Sequence, residues 1–366
     1  MTRAPQLRYL ADGKRLHLQD GPIDLIVEAN GTEASVSVAY SAAARRFTGL
    51  LDELCDELPL LRKAADPARC LLRGKVARRM HDAVAPFAAN CFITPMAAVA
   101  GSVAEEILAA MLQNAQLARA YVNNGGDIAL HLDGEEHFTL GLADRPDAPG
   151  LLRTMIIHAD DPTRGIATSG RHGRSFSLGI ADAVTVLART ASQADAAATI
   201  VANAVDLAGH PAIVRCPARD VQPDSDLGAR LVTREVGNLS KDEIDAALEA
   251  GAITARKLLA DGLIESAALR LEGEMIVVGA REIEGSFGFR MPLRGSNAAP
   301  SWRVRPHRAT LRTSRRPDCE TPCWADQSAP SIRFPVPERA RASQRCLSSR
   351  RCRNPRLWVS TRPWAE

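Results

Sequence analysis

The strongest constraint on the fold is that the strand signals come in neighbouring pairs joined by tight turns. Residues 15–40 alternate apolar and polar side chains around turn signals at 20–22 and 30–31, which predicts three short strands. The segment AYVNNGGDIALHL predicts two more strands around a glycine turn. Strands joined by short turns run antiparallel. The sequence therefore predicts antiparallel sheets and not a doubly wound parallel sheet.

The segments between these predicted strands show the apolar spacing of amphipathic helices. Apolar residues three and four apart predict helices over 41–57 and 74–86, and Thr94 before Pro95 predicts a capped helix from about Met96 to Leu112. After a strand AVTVLA, the segment SQADAAATIVANAVDLA predicts another helix. Residues 240–267 predict helices and 268–279 a closing strand. The predicted class is α+β.

The composition changes sharply near residue 290. Residues 291–366 hold 16 Arg, no Lys, five acidic residues, all four Trp and ten of the 22 Pro. No periodicity accompanies them, so we predict a domain over 1–290 and a disordered tail over 291–366. Such a composition is typical of a shifted reading frame. Its Cys spacing fits zinc ribbons poorly, and nucleic-acid binding is disfavoured.

The rest of the sequence excludes several classes of protein. No stretch approaches 18 consecutive apolar residues, and the first 21 residues have no apolar secretory core. We therefore expect a cytoplasmic protein with no membrane partner. The eight Cys are scattered and predict no disulfide framework. Dinucleotide-fold, P-loop, zincin and hydrolase-elbow motifs are absent.

Two loops carry residues that packing alone explains poorly. The segment Asn123-Asn124-Gly125-Gly126-Asp127 permits positive φ and close approach of a ligand, although an ordinary hairpin turn explains it too. The second loop is rich in Arg, Gly and hydroxyl groups, which predicts an anion-binding loop; a solvated loop is the alternative. Its residues are Thr168, Ser169, Gly170, Arg171, His172, Gly173, Arg174 and Ser175.

A third segment lies at the start of a predicted helix. Asp195 and Thr199 are four residues apart and share one helix face, so both can bind one oxygen-seeking cation. In the alternative interpretation Ser192 caps the helix, Asp195 complements its dipole and Thr199 is merely solvated. Spacing alone favours this alternative, because two oxygen ligands do not make a metal site.

In combination, NNGGDIA, ATSG and AVTVLARTASQADAAAT resemble the ApbE superfamily, whose best-known members are magnesium-dependent FAD:protein FMN transferases. The segments TPMAAVAGSVAEEI and PDSDLGARLVT are similar to its uncharacterised, UPF-designated members. The resemblance covers about residues 8–285. It implies an ApbE-like, T-fold-related architecture of antiparallel sheets with packed helices.

The resemblance also implies a ligand and its contacts. Asp195 and Thr199 match the magnesium ligands of the superfamily, and a backbone carbonyl ligand falls near Ala98. Asn124 to Asp127, Thr168 to Arg171 and Arg174 would bind FAD or FMN. The implied partner is a small nucleotide, and a homo-oligomer is an open expectation.

Three functions remain open at this point. Nucleotidyl or FMN transfer needs a general base, for which Asp182 and His172 are the nearest candidates. A cysteine persulfide in sulfur assimilation is an alternative based on Cys91, whose thiol pKa a helix N-terminus would lower. Non-catalytic nucleotide binding is the other, because the superfamily's Lys and DPxTG hairpin have no counterpart in this sequence.

Overall fold

The structure is a computed structural model that describes residues 4–143 and 151–279. At 142–143 and 151–154 it describes the backbone alone. The predicted tail over 291–366 and the predicted boundary at 290 lie outside the described residues. The strands are β1 (Gln6–Tyr9), β2 (Leu16–Asp20), β3 (Ile23–Asn30), β4 (Arg119–Asn124), β5 (Asp127–Leu132), β6 (His137–Ala143), β7 (Leu151–His158), β8 (Gly165–Ser169), β9 (Ala183–Ala188), β10 (Ile213–Pro217), β11 (Leu231–Val236), β12 (Ser266–Leu271) and β13 (Glu274–Val278).

The described helices lie between these strands in the chain. They are α1 (Glu33–Phe47), α2 (Leu50–Asp56), α3 (Leu58–Leu61), α4 (Lys75–Ala88), α5 (Val99–Leu112), α6 (Ala191–Ala204), α7 (Ala218–Val221) and α8 (Lys241–Ala260). A 3₁₀ turn, Pro95–Ala98, leads directly into α5.

One antiparallel sheet organises the molecule. Nine strands lie in the order β1-β2-β3-β4-β5-β8-β9-β12-β13, and each neighbouring pair is antiparallel. The pairs β6–β7 and β10–β11 form two smaller sheets. The predicted α+β class with antiparallel sheets and packed helices is confirmed.

Different elements pack on the two faces of the large sheet. Neighbouring residues of β4 point to opposite faces. Val122 belongs to a buried cluster with residues of α1, α4 and α5, while Tyr121 belongs to a cluster with Phe138 and Ile157 of the β6–β7 hairpin. A second helical cluster joins α6 and α8 to β8, β9 and β12. Helices therefore cover one face, and the hairpin covers part of the other.

One described stretch, Pro95–Leu112, is long and apolar enough to cross a membrane, but 56% of it is buried inside the protein. Core helices pass the same test of length and composition, so this stretch is weak evidence for a span.

The predicted third strand within 15–40 is wrong, because its residues form α1. The SVSV alternation is typical of a strand, but Thr32 accepts a hydrogen bond from the Ser35 N–H at 3.1 Å and caps a helix. Ala39, Ala43 and Phe47 then fall on one buried helical face. Helical burial outweighs the local alternation. The strand β1 was missed.

Several predicted boundaries also move. The helix over 41–57 breaks at Gly49, whose φ of 83° ends α1 and starts α2. Thr94 does not cap α5; its hydroxyl donates to Asp226 at 2.5 Å. The helices expected over 240–267 are the single helix α8, and the expected closing strand is the hairpin β12–β13.

Helices α5 and α6 meet at their first turns and cap each other. The Gly101 N–H of α5 donates to the Asp195 carboxylate of α6 at 3.0 Å. The Ser192 N–H of α6 donates to the Glu105 carboxylate of α5 at 2.7 Å. A Cβ at Gly101 would overlap the Ala191 carbonyl, so only glycine allows this approach.

We predict that Gly101→Ala destabilises the protein even though alanine is the better helix former. The new methyl group overlaps backbone atoms of α6, so the expected loss is about 2 kcal/mol, seen as a fall of several degrees in Tm. Gly31→Ala is the control, because a Cβ there makes only ordinary contacts. An unchanged or raised Tm for Gly101→Ala would contradict the packing described.

Candidate functional site

The first two segments singled out in the sequence meet at the same end of the neighbouring central strands β5 and β8. Asp127 is the first residue of β5, directly after the Gly125-Gly126 turn, and β8 is the next strand. The Thr168 N–H of β8 donates to the Asp127 carboxylate at 3.2 Å. The hairpin turn and the loop after β8 therefore belong to one site.

The third segment joins them through the start of α5. Asn124 donates its side-chain amide to the Ala100 carbonyl at 3.2 Å, and the neighbouring Gly101 N–H donates to Asp195. Thr199 lies one helical turn further along α6. The structure thus brings the glycine turn, the small-residue start of α5 and the Asp195 face of α6 together. We call this group the carboxylate site.

The two carboxylates of this site interact electrostatically. Burial raises the pKa of Asp127 to about 7, against the Thr168 N–H and the Arg174 guanidinium, which lower it. Burial, followed by the charge of Asp127, raises the pKa of Asp195 well above its ordinary range. The N–H groups of Ala100 and Gly101 lower it only in part. Two half-buried carboxylates whose charges interact favour a bound cation or a shared proton.

The two arginines of the loop after β8 have different surroundings. The Arg174 guanidinium lies over Gly125, whose φ is 66°, and occupies the space that a Cβ would take. It also donates to the Pro22 carbonyl at 3.4 Å. Arg171 instead pairs with Asp182 at 2.6 Å and Glu272 at 2.6 Å. Arg174 is therefore the arginine beside the carboxylate site.

The candidate bases Asp182 and His172 cluster with Arg171 around the loop that also carries Arg174. The Asp182 carboxylate accepts hydrogen bonds from Arg171 and from the Glu272 N–H. His172 lies with Nε2 3.3 Å from the same carboxylate, and its side chain is 52% exposed. Gly170 packs against the Asp182 carbonyl, where a Cβ would not fit. The roles of Asp182 and His172 in catalysis stay predictions.

The remaining predicted contacts are placed as follows. The Thr168 hydroxyl bonds the Thr185 hydroxyl at 2.9 Å, and Ser169 ends β8. Ala98 is fully buried at the residue before α5. Among the described residues, no group of three or more His, Cys, Asp or Glu side chains could hold a metal ion. A cation here would need hydroxyl or carbonyl ligands besides Asp127 and Asp195.

Cys91 lies in different surroundings from those expected. Its thiol donates to the Phe87 carbonyl at 3.3 Å, beyond the C-terminal end of α4. Burial raises the pKa of the Cys91 thiol. The expected lowering of its pKa by a helix N-terminus is therefore wrong, because the thiol contacts a helix C-terminus.

Sequence reasoning missed how α6 begins. Thr190, not Ser192, is its N-cap and accepts the Gln193 N–H at 3.3 Å. The signal was present as Thr-x-x-Gln, the spacing of a capping box. The second cap, Glu105, lies 87 residues from Ser192 in the chain and has no local signal.

Comparison with known proteins gives a family match over most of the chain. Residues 7–277 match the family model described as AbpE bacteria, in agreement with the resemblance found in the sequence. A UPF0280 protein of Methanopyrus kandleri is 37% identical over 182 residues, covering 49% of this chain and 69% of that protein. A UPF0280 protein of Archaeoglobus fulgidus is 36% identical over 143 residues, 38% of this chain and 54% of that protein.

Among solved structures, the apo form of the Pseudomonas stutzeri flavinyl transferase ApbE is similar in fold. The match covers 75% of this chain and 95% of that protein. The sequence identity is 11% and the TM-score is 0.39. That likeness is too distant to support a functional argument.

The raised pKa of Asp127 makes a prediction about stability. Its ordinary value is 3.8 and its value in the fold is about 7, so ionisation destabilises the fold, increasingly from about pH 4 and fully above pH 7. Without divalent cations, Asp127→Asn should raise Tm by several degrees at pH 8 and change it little at pH 4. Asp160→Asn, at an exposed position, is the control. A lower Tm of Asp127→Asn at pH 8 would show that ionised Asp127 stabilises the fold and would contradict its raised pKa.

Cys91 should alkylate slowly despite its exposure. Because the raised pKa leaves little thiolate near pH 7.5, the iodoacetamide rate of Cys91 should be several-fold below the rate of the same residue in urea. Peptide mass spectrometry separates it from the other cysteines. Faster labelling of Cys91 in the folded protein than in urea would contradict the raised pKa and support a reactive thiol.

Proposed function

Since this chain belongs to the AbpE bacteria family, we propose that it binds a flavin or other nucleotide together with magnesium at the carboxylate site. The observation that carries the proposal is the pair Asp127 and Asp195, whose pKa values are both raised. Each charge opposes the other in the protein alone. A divalent cation between them removes that repulsion.

The donors present fit magnesium. Asp127 and Asp195 supply carboxylate oxygens, Thr199 supplies a hydroxyl on the same helix face as Asp195, and the start of α5 supplies backbone carbonyls. Magnesium prefers hard oxygen ligands and keeps several waters, so a site of few protein ligands suits it. When bound, it would neutralise charge that develops on phosphate oxygens during transfer.

The phosphate contacts follow from the same geometry. Arg174 over the glycine turn can pair with a phosphate oxygen as well as attract Asp127. Gly126 has open space where a Cβ would lie, so its backbone is uncovered for close approach of a phosphate. Arg171 already has two carboxylate partners, so we assign the phosphate contact chiefly to Arg174.

The finer proposal is FMN transfer from FAD. An acceptor hydroxyl oxygen bonds to the phosphorus of the FMN half, the bond to the AMP phosphate oxygen breaks, and AMP leaves. The hydroxyl proton goes to a base, for which we propose His172, oriented by its 3.3 Å contact with Asp182. Non-catalytic binding is the alternative, because the superfamily's Lys has no counterpart in this sequence.

The first experiment is a titration with FAD and FMN, followed by flavin fluorescence, with and without magnesium. We expect saturable binding that needs magnesium and weakens at least tenfold in Asp195→Ala, because the site loses one of two carboxylates. The control is Asp160→Ala. No binding by the wild-type protein would refute the flavin proposal.

Incubation of the bound complex then separates transfer from binding. Chromatography should detect AMP released from FAD in the presence of an acceptor protein, with a loss of at least tenfold in His172→Ala. Intact FAD after prolonged incubation would favour the binding protein. Turnover that survives Asp195→Ala but disappears in Cys91→Ser would instead favour sulfur chemistry at Cys91.

A further inference from the structure

A basic groove lies between α4, α5 and the start of α6. Its volume is about 520 Å³, and none of the residues named above for the carboxylate site lines it. Volumes of this size are typical of small-molecule sites. The lining residues are Arg73, Lys75, Arg78, Arg79, Asp82, Ala83, Glu105, Thr190, Ser192 and Gln193.

The charges of the groove do not balance. Four cationic side chains face two acidic ones, an excess of two positive charges. Lys75 and Arg79 already contact Glu106, and Arg79 also contacts Glu105. Arg73 and Arg78 are exposed and have no ion pair among the residues that the structure describes. These two arginines are therefore available to a ligand.

The opposite wall supplies neutral donors. Thr190 carries a hydroxyl group and Gln193 an amide, whereas Ser192 is only 4% exposed and its hydroxyl lies 3.2 Å from that of Thr190. The N–H groups of Ser192 and Gln193 are already bonded to Glu105 and Thr190, so the side chains are what a ligand would contact. Two guanidinium groups without an ion pair, in one groove with a hydroxyl and an amide, suit a tetrahedral oxyanion of charge −2.

We propose that this groove is a second site, which binds the dianionic phosphate group of a small molecule. Arg73 and Arg78 pair with the phosphate oxygens, and Thr190 and Gln193 line the groove beside them. Arg79 stays paired with Glu105 and shapes the groove floor. The groove is larger than a phosphate ion, so the remaining volume takes the body of a phosphomonoester.

The test uses the full chain, with inorganic phosphate and glycerol 3-phosphate as probes in calorimetric titrations. We expect saturable binding of both at neutral pH, with affinity falling at least tenfold in the double variant Arg73→Gln/Arg78→Gln. Tighter binding of glycerol 3-phosphate than of inorganic phosphate is the expected result, and equal affinities would overturn the proposal that the groove also takes the body of a phosphomonoester.

Arg45→Gln/Arg234→Gln is the matched control, because it removes the same charge from two exposed arginines outside the groove. Hydrogen exchange should show phosphate-dependent protection over residues 73–83 and 190–193. No saturable binding, protection confined to other segments, or full affinity in the Arg73/Arg78 variant would overturn the proposal. Loss of phosphate binding in Arg174→Gln would also overturn it, by placing the ion at the carboxylate site.

Discussion

The mutual capping of α5 and α6 is the interaction on which the candidate site depends. Each helix exposes unbonded N–H groups at its first turn, and each receives a carboxylate from the other, Asp195 for α5 and Glu105 for α6. The contact requires glycine at position 101, because any side chain would meet the backbone of α6. The packing of α5 against α6 therefore fixes the position of the Asp195 carboxylate.

This arrangement explains how the fold tolerates two neighbouring carboxylates. Backbone N–H donors stabilise both: Thr168 bonds Asp127, and Ala100 with Gly101 bonds Asp195. These bonds lower each pKa but do not offset burial, so both pKa values stay raised. The protein thus holds a pair of acids in place at a cost in stability, which is typical of functional sites.

Much of this arrangement could be predicted from local signals. The NNGGD turn predicted the β4–β5 hairpin, and the spacing of Asp195 and Thr199 placed both on one face of α6. The alternation in SVSV failed for α1, since burial of Ala39, Ala43 and Phe47 against the sheet decided that segment. An alternation over four residues is weak evidence against a capped helix with a continuous apolar face.

The arginines of the loop after β8 show why the rest could not be predicted. In the sequence Arg171 and Arg174 are equivalent cations within one short loop. They differ only through the fold, since Arg171 is paired with Asp182 and, across 101 residues, with Glu272, whereas Arg174 lies on Gly125. An ion pair of such sequence separation leaves no local pattern. The hydrogen bond between the Ser192 N–H and Glu105 also joins residues far apart in the chain. The ion pairs and caps around the site therefore form only when distant strands and helices pack.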